Sequence, residues 1–248
     1  MNRRKFFKFL GIGAATAVAP NMLAEIKSET YPECNGGNIT LKMLQDAYAK
    51  AKINPPNKLL VCLDGIKIYE EPKHGYDYSI GVDVGNGLNT SSCISVMRKG
   101  LVNEPDVQAA EFVSGTHTPS SLVPVIAAIA EKYGVGCTDP RGPLLVIEQV
   151  SSSGDVTQHQ LKLMGFTRFY EFVQYRKNRP LATKSGWYSN VRSRPILMAR
   201  FNDAVSSGKY QPKSSSLTGN TEEVRGNPRF MAAALSYIGL NGMRNSNV

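Results

Sequence analysis

The sequence of 248 residues is poor in the side chains that build metal or disulfide scaffolds, with four cysteines, three histidines and one tryptophan. The cysteines form no Cys-x-x-Cys pair, which excludes a zinc knuckle and a dense disulfide framework. We expect free thiols at all four positions, Cys34, Cys62, Cys93 and Cys137.

Two longer patterns are also absent. No uninterrupted apolar run approaches the roughly 18 residues that a membrane-spanning helix needs, so we expect no stable membrane insertion. No Gly-x-x-x-x-Gly-Lys-Ser/Thr motif occurs, which argues against a phosphate-binding nucleotide loop. The remaining composition, with 42% hydrophobic residues, suits one ordinary domain and a short appendage.

Acidic residues are scarce in one part of the chain. The sequence has 29 Lys and Arg against 20 Asp and Glu, a formal net charge of +9. Eleven of the basic residues but only two of the acidic ones lie between Lys162 and Lys213. This basic segment favours an anionic partner, which could be nucleic acid, an anionic membrane or a phosphorylated ligand.

The first residues form a basic, mildly apolar N-terminal segment over 1–24. Arg3-Arg4-Lys5 precedes a short apolar run that ends near Ala24. The segment resembles a twin-arginine export signal, which implies a periplasmic location. A basic amphipathic start is the other interpretation.

The pattern of strands and helices predicts an α/β domain over residues 76–240. Residues 25–75 are rich in proline and glycine and are interpreted as a linker, with one helix over 41–52 and one strand over 58–63. A tail covers 241–248. The elements predicted between these segments are strands over 78–84, 91–98, 107–113, 144–148 and 169–175, and helices over 118–134, 155–164, 195–208 and 229–240.

This order predicts a mixed sheet with helices on its faces. Three consecutive strands joined by short turns form a meander, and helices separate the later strands, so these are expected to add in parallel.

Two acids lie in strands that are otherwise apolar. Asp83 ends the run Ile80-Gly81-Val82-Asp83, and Glu148 ends Leu144-Leu145-Val146-Ile147-Glu148. A buried carboxylate is costly unless it is paired or binds a cation, and two acids at strand ends can hold Mg2+ or Mn2+ together. The alternative is structural: Asp83 begins a turn and Glu148 pairs with a nearby arginine.

Five motifs in order resemble the nuclease domain of tailed-phage terminase large subunits. These are Tyr78 to Gly87, Val146-Ile147-Glu148-Gln149 with Gly154-Asp155, Leu161 to Gly165, Gly186-Trp187-Tyr188-Ser189-Asn190, and Ser193-Arg194-Pro195-Ile196-Leu197. The resemblance covers about 66–240 and implies a ribonuclease H-like fold, in agreement with the predicted element order.

The resemblance also implies a metal-dependent endonuclease that cuts concatemeric viral DNA during genome packaging. Two ions, Mg2+ or Mn2+, are expected, with Asp83 and Glu148 as the first two ligands. The third ligand departs from the family, which usually has His-Asp-Asp where this chain has Gly226-Asn227-Pro228. Asn227, Glu222 and Glu223 are the candidates to replace it.

The implied partners are double-stranded DNA, a separate packaging ATPase, a small terminase subunit and a portal. About 65 residues precede the matched region, too few for the family's ATPase motor, so we expect the chain to lack it. The implied location is the cytoplasm of a phage-infected or prophage-carrying host. The basic side chains expected to contact the DNA backbone are Arg176, Lys177, Arg179, Lys184, Arg192 and Arg194.

Three functions follow. The first is the nuclease. The second is a module of the same fold with a degraded site, which binds DNA or a portal without cutting. The third is a bacterial protein exported through the N-terminal segment.

The basic segment also contains five aromatic residues. They either pack in the core or lie against sugar and base: Phe169, Tyr170, Tyr175, Trp187 and Tyr188.

Overall fold

The protein is described here by a computed structural model, which covers residues 65–87, 89–150, 152–176, 179–217 and 227–242. Several predictions lie outside these residues. They concern the N-terminal segment 1–24, the linker up to residue 64 with its helix and strand, the tail beyond 242, and the side chains of Cys34, Cys62, Lys177, Glu222 and Glu223. No helix in the described part of the chain combines the length and hydropathy that a membrane crossing requires.

A mixed sheet forms the centre of the described structure. Its strands are β1 (Ile66–Ile68), β2 (Tyr78–Asp83), β3 (Ser92–Arg98), β4 (Asp106–Ser114), β5 (Leu144–Ile147) and β8 (Tyr210–Gln211). The order is β1-β4-β3-β2-β5, with β8 pairing in parallel beside the start of β4. Strands β2, β3 and β4 are antiparallel neighbours, and β5 adds to β2 in parallel. The predicted meander with a parallel addition, as in the ribonuclease H-like fold, is confirmed.

Four helices cover the two faces of this sheet. They are α1 (Pro119–Gly134), α2 (Ser152–Leu163), α3 (Ser193–Ser206) and α4 (Pro228–Asn241). Helix α1 begins as its sequence predicts, because Thr118 caps it by accepting a hydrogen bond from the Ser121 backbone N–H, and a proline follows the cap.

Each face of the sheet has its own hydrophobic core. Ile80, Val82, Ile94 and Val96 point to α1 and α2 and are buried there among aliphatic side chains. On the opposite face, Met97 and Val146 pack with aromatic residues of α3 and α4. Strand side chains alternate between faces, so β3 and β5 contribute to both cores.

Gly81 allows α4 to lie directly on β2. A Cβ atom at this position would overlap the Ala232 carbonyl oxygen and the Ser236 backbone nitrogen. Gly239, farther along α4, lies beside Ser79. The helix therefore runs opposite to β2, and its N-terminus lies at the end of β2 that carries Asp83.

The strand predicted over 169–175 does not join the main sheet. Phe169 makes one parallel bridge to Leu145, but β6 (Glu171–Arg176) pairs with β7 (Arg179–Ser185) in a separate antiparallel hairpin. Strand β7, which contains Pro180, is not among the elements predicted from the sequence. Pro180 misled the prediction because a proline is tolerated in a two-stranded hairpin that has free edges.

Two short strands also escaped prediction. Strand β1 lies within the segment interpreted as a linker and pairs with β4, and the two-residue β8 pairs with the other end of β4. Both are too short to show a period in the sequence. The thiols of Cys93 and Cys137 are free, as expected.

Candidate functional site

Strands β2 and β5 bring the two predicted acids together. Asp83 is the last residue of β2, and Glu148 directly follows β5. The strands run in parallel with Val82 opposite Ile147, and the Glu148 backbone N–H donates to the Val82 carbonyl oxygen at 2.9 Å. Both carboxyl groups therefore leave the same edge of the sheet, as the sequence predicts.

The two carboxyl groups are close enough to perturb each other. Burial, the negative charge of Glu148 and a hydrogen bond with Glu148 raise the pKa of Asp83 from 3.8 to about 8. The cationic Arg194 opposes this shift. A pair of buried acids shares a proton because two adjacent negative charges repel in a site with little water.

Backbone hydrogen bonds fix the position of Glu148. The Trp187 N–H donates to the Ile147 carbonyl oxygen at 2.8 Å, and the Gln149 N–H donates to the Trp187 carbonyl oxygen at 2.7 Å. Glu148 is 8% exposed, and its Oε1 atom has no hydrogen-bond partner within the described residues. One oxygen of this carboxyl group is therefore buried without the compensation that buried polar atoms normally have.

Electrostatic interactions link the acid pair to a second charged pair under the N-terminus of α4. Cys93 lies opposite Asp83 on β3, and the pKa of its thiol is raised by burial and by the charges of Glu111 and Asp83, while Arg229 opposes the increase. Arg229 Nη1 lies 3.3 Å from Glu111 Oε2. Sequence analysis did not select Glu111 or Arg229; the only available signal was an acid in the middle of a strand.

The donor set fits one divalent cation. Two adjacent carboxylates, one with an unpartnered buried oxygen, match the preference of Mg2+ and Mn2+ for oxygen ligands, and Mg2+ typically takes one or two carboxylates plus water and phosphate. Among the described residues, no cluster of three or more Asp, Glu, His or Cys side chains is arranged to hold a metal. The described residues therefore provide no third carboxylate that would hold a second ion.

Asn227, a candidate for the third ligand, has another role in the structure. Its side-chain oxygen accepts a hydrogen bond from the Arg229 backbone N–H at 3.0 Å and caps α4. Asparagine is a favoured residue at this position because it satisfies a helical N–H group that would otherwise have no partner. The cap places Asn227 at the helix end that faces Asp83.

The described residues do not show the alternative arrangement, in which Asp83 begins a turn and Glu148 pairs with a nearby arginine. Asp83 belongs to β2 and does not begin a turn. No ion pair joins Glu148 to an arginine within the described part of the chain; the closest cationic influence on the pair is that of Arg194 on Asp83.

The described basic candidates lie on two elements beside the acid pair. Arg192 and Arg194 are exposed at the start of α3, and Lys184 is exposed on β7 with its ammonium 4.9 Å from the ring centroid of Tyr188. The backbones of Arg176 and Arg179 are opposite each other at the end of the β6–β7 hairpin. Lys184 lies three residues before Trp187, which bridges to Glu148, and Arg194 interacts with Asp83, so these two basic residues belong to the segments beside the acid pair.

Two aromatic residues of the basic segment belong to the core. Trp187 is fully buried and Phe169 is 7% exposed. Phe172 contacts the Trp187 ring edge-on at 5.2 Å. Tyr188 is partly exposed and is the aromatic side chain beside which Lys184 lies.

Several solved structures are similar to this protein. No protein-family model matches the sequence, and no curated protein matches it. Crystal structures of the large terminase nuclease from thermophilic phage G20c with bound zinc and with bound cobalt are each 18% identical with a TM-score of 0.47, covering 69% of this chain and 86% of that chain. A further crystal structure of that nuclease is 17% identical with a TM-score of 0.45, covering 69% and 87%. At these values the chain is similar to those nucleases, and neither an activity nor a ligand is transferred to it.

Proposed function

We propose that this protein is a divalent-metal-dependent DNA endonuclease of the terminase type. The adjacent carboxyl groups of Asp83 and Glu148 are the observation that carries the proposal. A fold does not retain a buried and a half-buried acid against each other for stability, because each is costly to desolvate. A cation bound between them would compensate both charges.

The residues of this site have separate roles in the proposed reaction. Asp83 and Glu148 hold Mg2+ or Mn2+, which, when bound, acidifies the attacking water and stabilises charge on the phosphodiester. The backbone hydrogen bonds to Ile147 and Gln149 keep Glu148 in place. Arg194, next to Asp83, and Arg192 on the same helix end neutralise phosphates of the substrate.

The substrate in this proposal is double-stranded, concatemeric viral DNA, and the reaction takes place in the cytoplasm of an infected or prophage-carrying host. A separate packaging ATPase, a small terminase subunit and a portal would provide translocation and docking. Two ions would be held at this site if Asn227, Glu222 or Glu223 supplied a third ligand.

The test is cleavage of supercoiled plasmid with Mg2+ or Mn2+, with DNA binding measured in the same samples. Asp83→Asn and Glu148→Gln should abolish nicking and leave DNA binding nearly unchanged, and EDTA should stop the wild-type protein. Asp203→Asn is the matched control, because Asp203 is an exposed acid of α3. Normal cleavage by Asp83→Asn would reject this metal site.

A second candidate is a DNA- or portal-binding module that does not cut. It is favoured by the use of Asn227 as a helix cap and by the lack of a third acid among the described residues around the pair. Replacing Asn227 and Pro228 by Asp should then create nicking activity in an inactive protein, and Asn227→Asp can still cap α4. A folded double variant that stays inactive would argue against loss of a ligand as the cause.

A further inference from the structure

A cavity of about 710 Å³ opens beside the acid pair. Its walls come from the turn after Trp187, the first three turns of α3 and the beginning of α4. Val150, two residues after Glu148, and Ser189, two residues after Trp187, both line it, so two of its wall segments directly follow the segments that position Glu148. Arg194 lines it as well and interacts with Asp83.

The walls of the cavity are mostly apolar, and Arg194 is the one charged side chain among the described residues that line it. Pro195, Met198 and Phe230 line its interior, and Val191 at the rim is 92% exposed. None of the described residues that line it is acidic. An apolar cavity next to a phosphate-binding arginine suits a ligand that is anionic at one end and flat and apolar at the other.

Polar groups are available inside the cavity. The Asn202 side chain supplies an amide to the lining, whereas the Ser189 hydroxyl, which has no hydrogen-bond partner among the described residues, is buried. The Asn190 side-chain oxygen is occupied by the backbone N–H groups of Arg192 and Ser193, which leaves its amide NH2 to donate. The two amides can pair with the polar edge of a nucleobase, while the apolar walls contact its faces.

We infer that this cavity receives a nucleobase unstacked from the DNA next to the phosphate that is cut, with Arg194 contacting the phosphate between the cavity and Asp83. The inference rests on the proposed nuclease function and specifies its substrate: DNA in which one base near the cut can leave the helix. Unstacking costs least where a base is mispaired or already single-stranded, so such positions are preferred.

The test uses a short duplex with 2-aminopurine in a mismatch, in Ca2+ so that binding proceeds without the proposed cleavage. Binding is measured from the anisotropy of a labelled copy, and unstacking from the increase in 2-aminopurine fluorescence. We expect the wild-type protein to increase this fluorescence. In a separate reaction with Mg2+ or Mn2+, we expect the duplex to be cleaved about tenfold faster at the mismatch than at a paired site.

Two variants block the cavity by different means. Ala199→Phe fills it from an exposed position on α3, and Asn202→Leu removes an amide at similar volume. Both should bind the duplex with near wild-type affinity but lose the fluorescence increase and the preference for the mismatch. Ile196→Phe adds the same ring on α3 at a residue that does not line the cavity, and it should behave as the wild type.

The possible failures are distinguishable. If the wild-type protein binds the duplex and the fluorescence does not rise, or if it rises equally in Ala199→Phe, the base does not enter this cavity and the inference is wrong. If the wild-type protein does not bind the duplex, the proposed function itself fails.

Discussion

The two faces of the central sheet are built from the same strands but differ in chemistry. Along β2, Ile80 and Val82 point to α1 and α2, whereas Gly81 and Asp83 point to α3 and α4. Along β3, Ile94 belongs to the first face and Cys93 lies beside Asp83 on the second. Both faces bury apolar side chains, which supply stability, but the second also contains the charged groups of Asp83, Glu148 and Glu111, whose desolvation opposes it.

The contrast indicates where function resides. Natural proteins retain destabilising buried charges mainly where a ligand, a metal or a reaction compensates them. The face towards α4 holds the Asp83 and Glu148 pair and the Glu111 and Arg229 pair, and in each pair one buried carboxylate oxygen has no hydrogen-bond partner in the described residues. The following variants test this difference, beginning with the largest expected effect.

The largest effect should follow Gly81→Ala, which disrupts the packing of α4 on β2. The added methyl group overlaps backbone atoms of α4 that cannot rotate away, so the helix must shift. We expect the free energy of unfolding to fall by about 3 kcal/mol, measured by urea denaturation. Gly115→Ala is the control, because its added Cβ meets only the Ser91 hydroxyl at 3.7 Å. Equal stability of the two variants would contradict the close packing of α4.

The next effect concerns the charged pair under α4. Arg229→Met leaves Glu111, whose side chain is 2% exposed, as a buried carboxylate without its cation. We expect a loss of about 2 kcal/mol, because an uncompensated buried charge is costly. Adding Glu111→Leu should restore part of the stability, which a double-mutant cycle measures. If the double variant is less stable than Arg229→Met alone, Glu111 is held by its other hydrogen bonds and not by the ion pair.

Asp83→Asn should increase the free energy of unfolding, whereas the two previous variants reduce it. Because the pKa of Asp83 is raised from 3.8 to about 8, the folded protein binds a proton that the unfolded chain releases, and stability falls as the pH rises from about 4 to about 8. The variant removes this loss, so in EDTA it should be more stable than the wild type at pH 8 by at least about 1 kcal/mol.

Thermal denaturation of both proteins between pH 4 and pH 8 measures the difference. The advantage of Asp83→Asn should shrink towards pH 4, because below the unfolded value of 3.8 the wild-type carboxyl group is protonated in both states. A variant less stable than the wild type at pH 8 would show that the charged pair is stabilising.

The smallest effect concerns Lys184 on the β6–β7 hairpin. Lys184 is one of several cations proposed to contact phosphate, so Lys184→Met should weaken DNA binding less than tenfold. The slope of log affinity against log salt concentration should decrease by about one. Lys67→Met, an exposed lysine on β1 at the opposite edge of the sheet, is the matched control and should leave the slope unchanged. An equal slope for both variants would place the DNA elsewhere.

Sequence patterns predicted the parts of this fold that have a regular period. The apolar alternation of β2 and β3 and the cap and proline of α1 led to the correct elements, and the two acids at strand ends were expected to meet and do. The patterns failed for β1 and β8, which are too short, and for the hairpin containing Pro180. Strands β1 and β8 depend on pairing with β4, which is distant in the sequence and is not contained in a local pattern.

The surroundings of the site were harder to predict than its two acids. Glu111 and Arg229 are 118 positions apart in the sequence, and only the packing of α4 on the sheet brings them together. The cavity beside α3 combines residues from four separate segments for the same reason. The role of Asn227 as a helix cap was recognisable in principle, since it precedes a proline and an apolar run.

The most direct test of the central claim, that Asp83 and Glu148 form a divalent-metal site, is a titration with Mn2+ followed by electron paramagnetic resonance. The account predicts that the wild-type protein and Asp203→Asn bind Mn2+ equally, whereas Asp83→Asn and Glu148→Gln lose at least about tenfold in affinity. Binding of Mn2+ by Asp83→Asn with wild-type affinity, or no binding by the wild type, would contradict it.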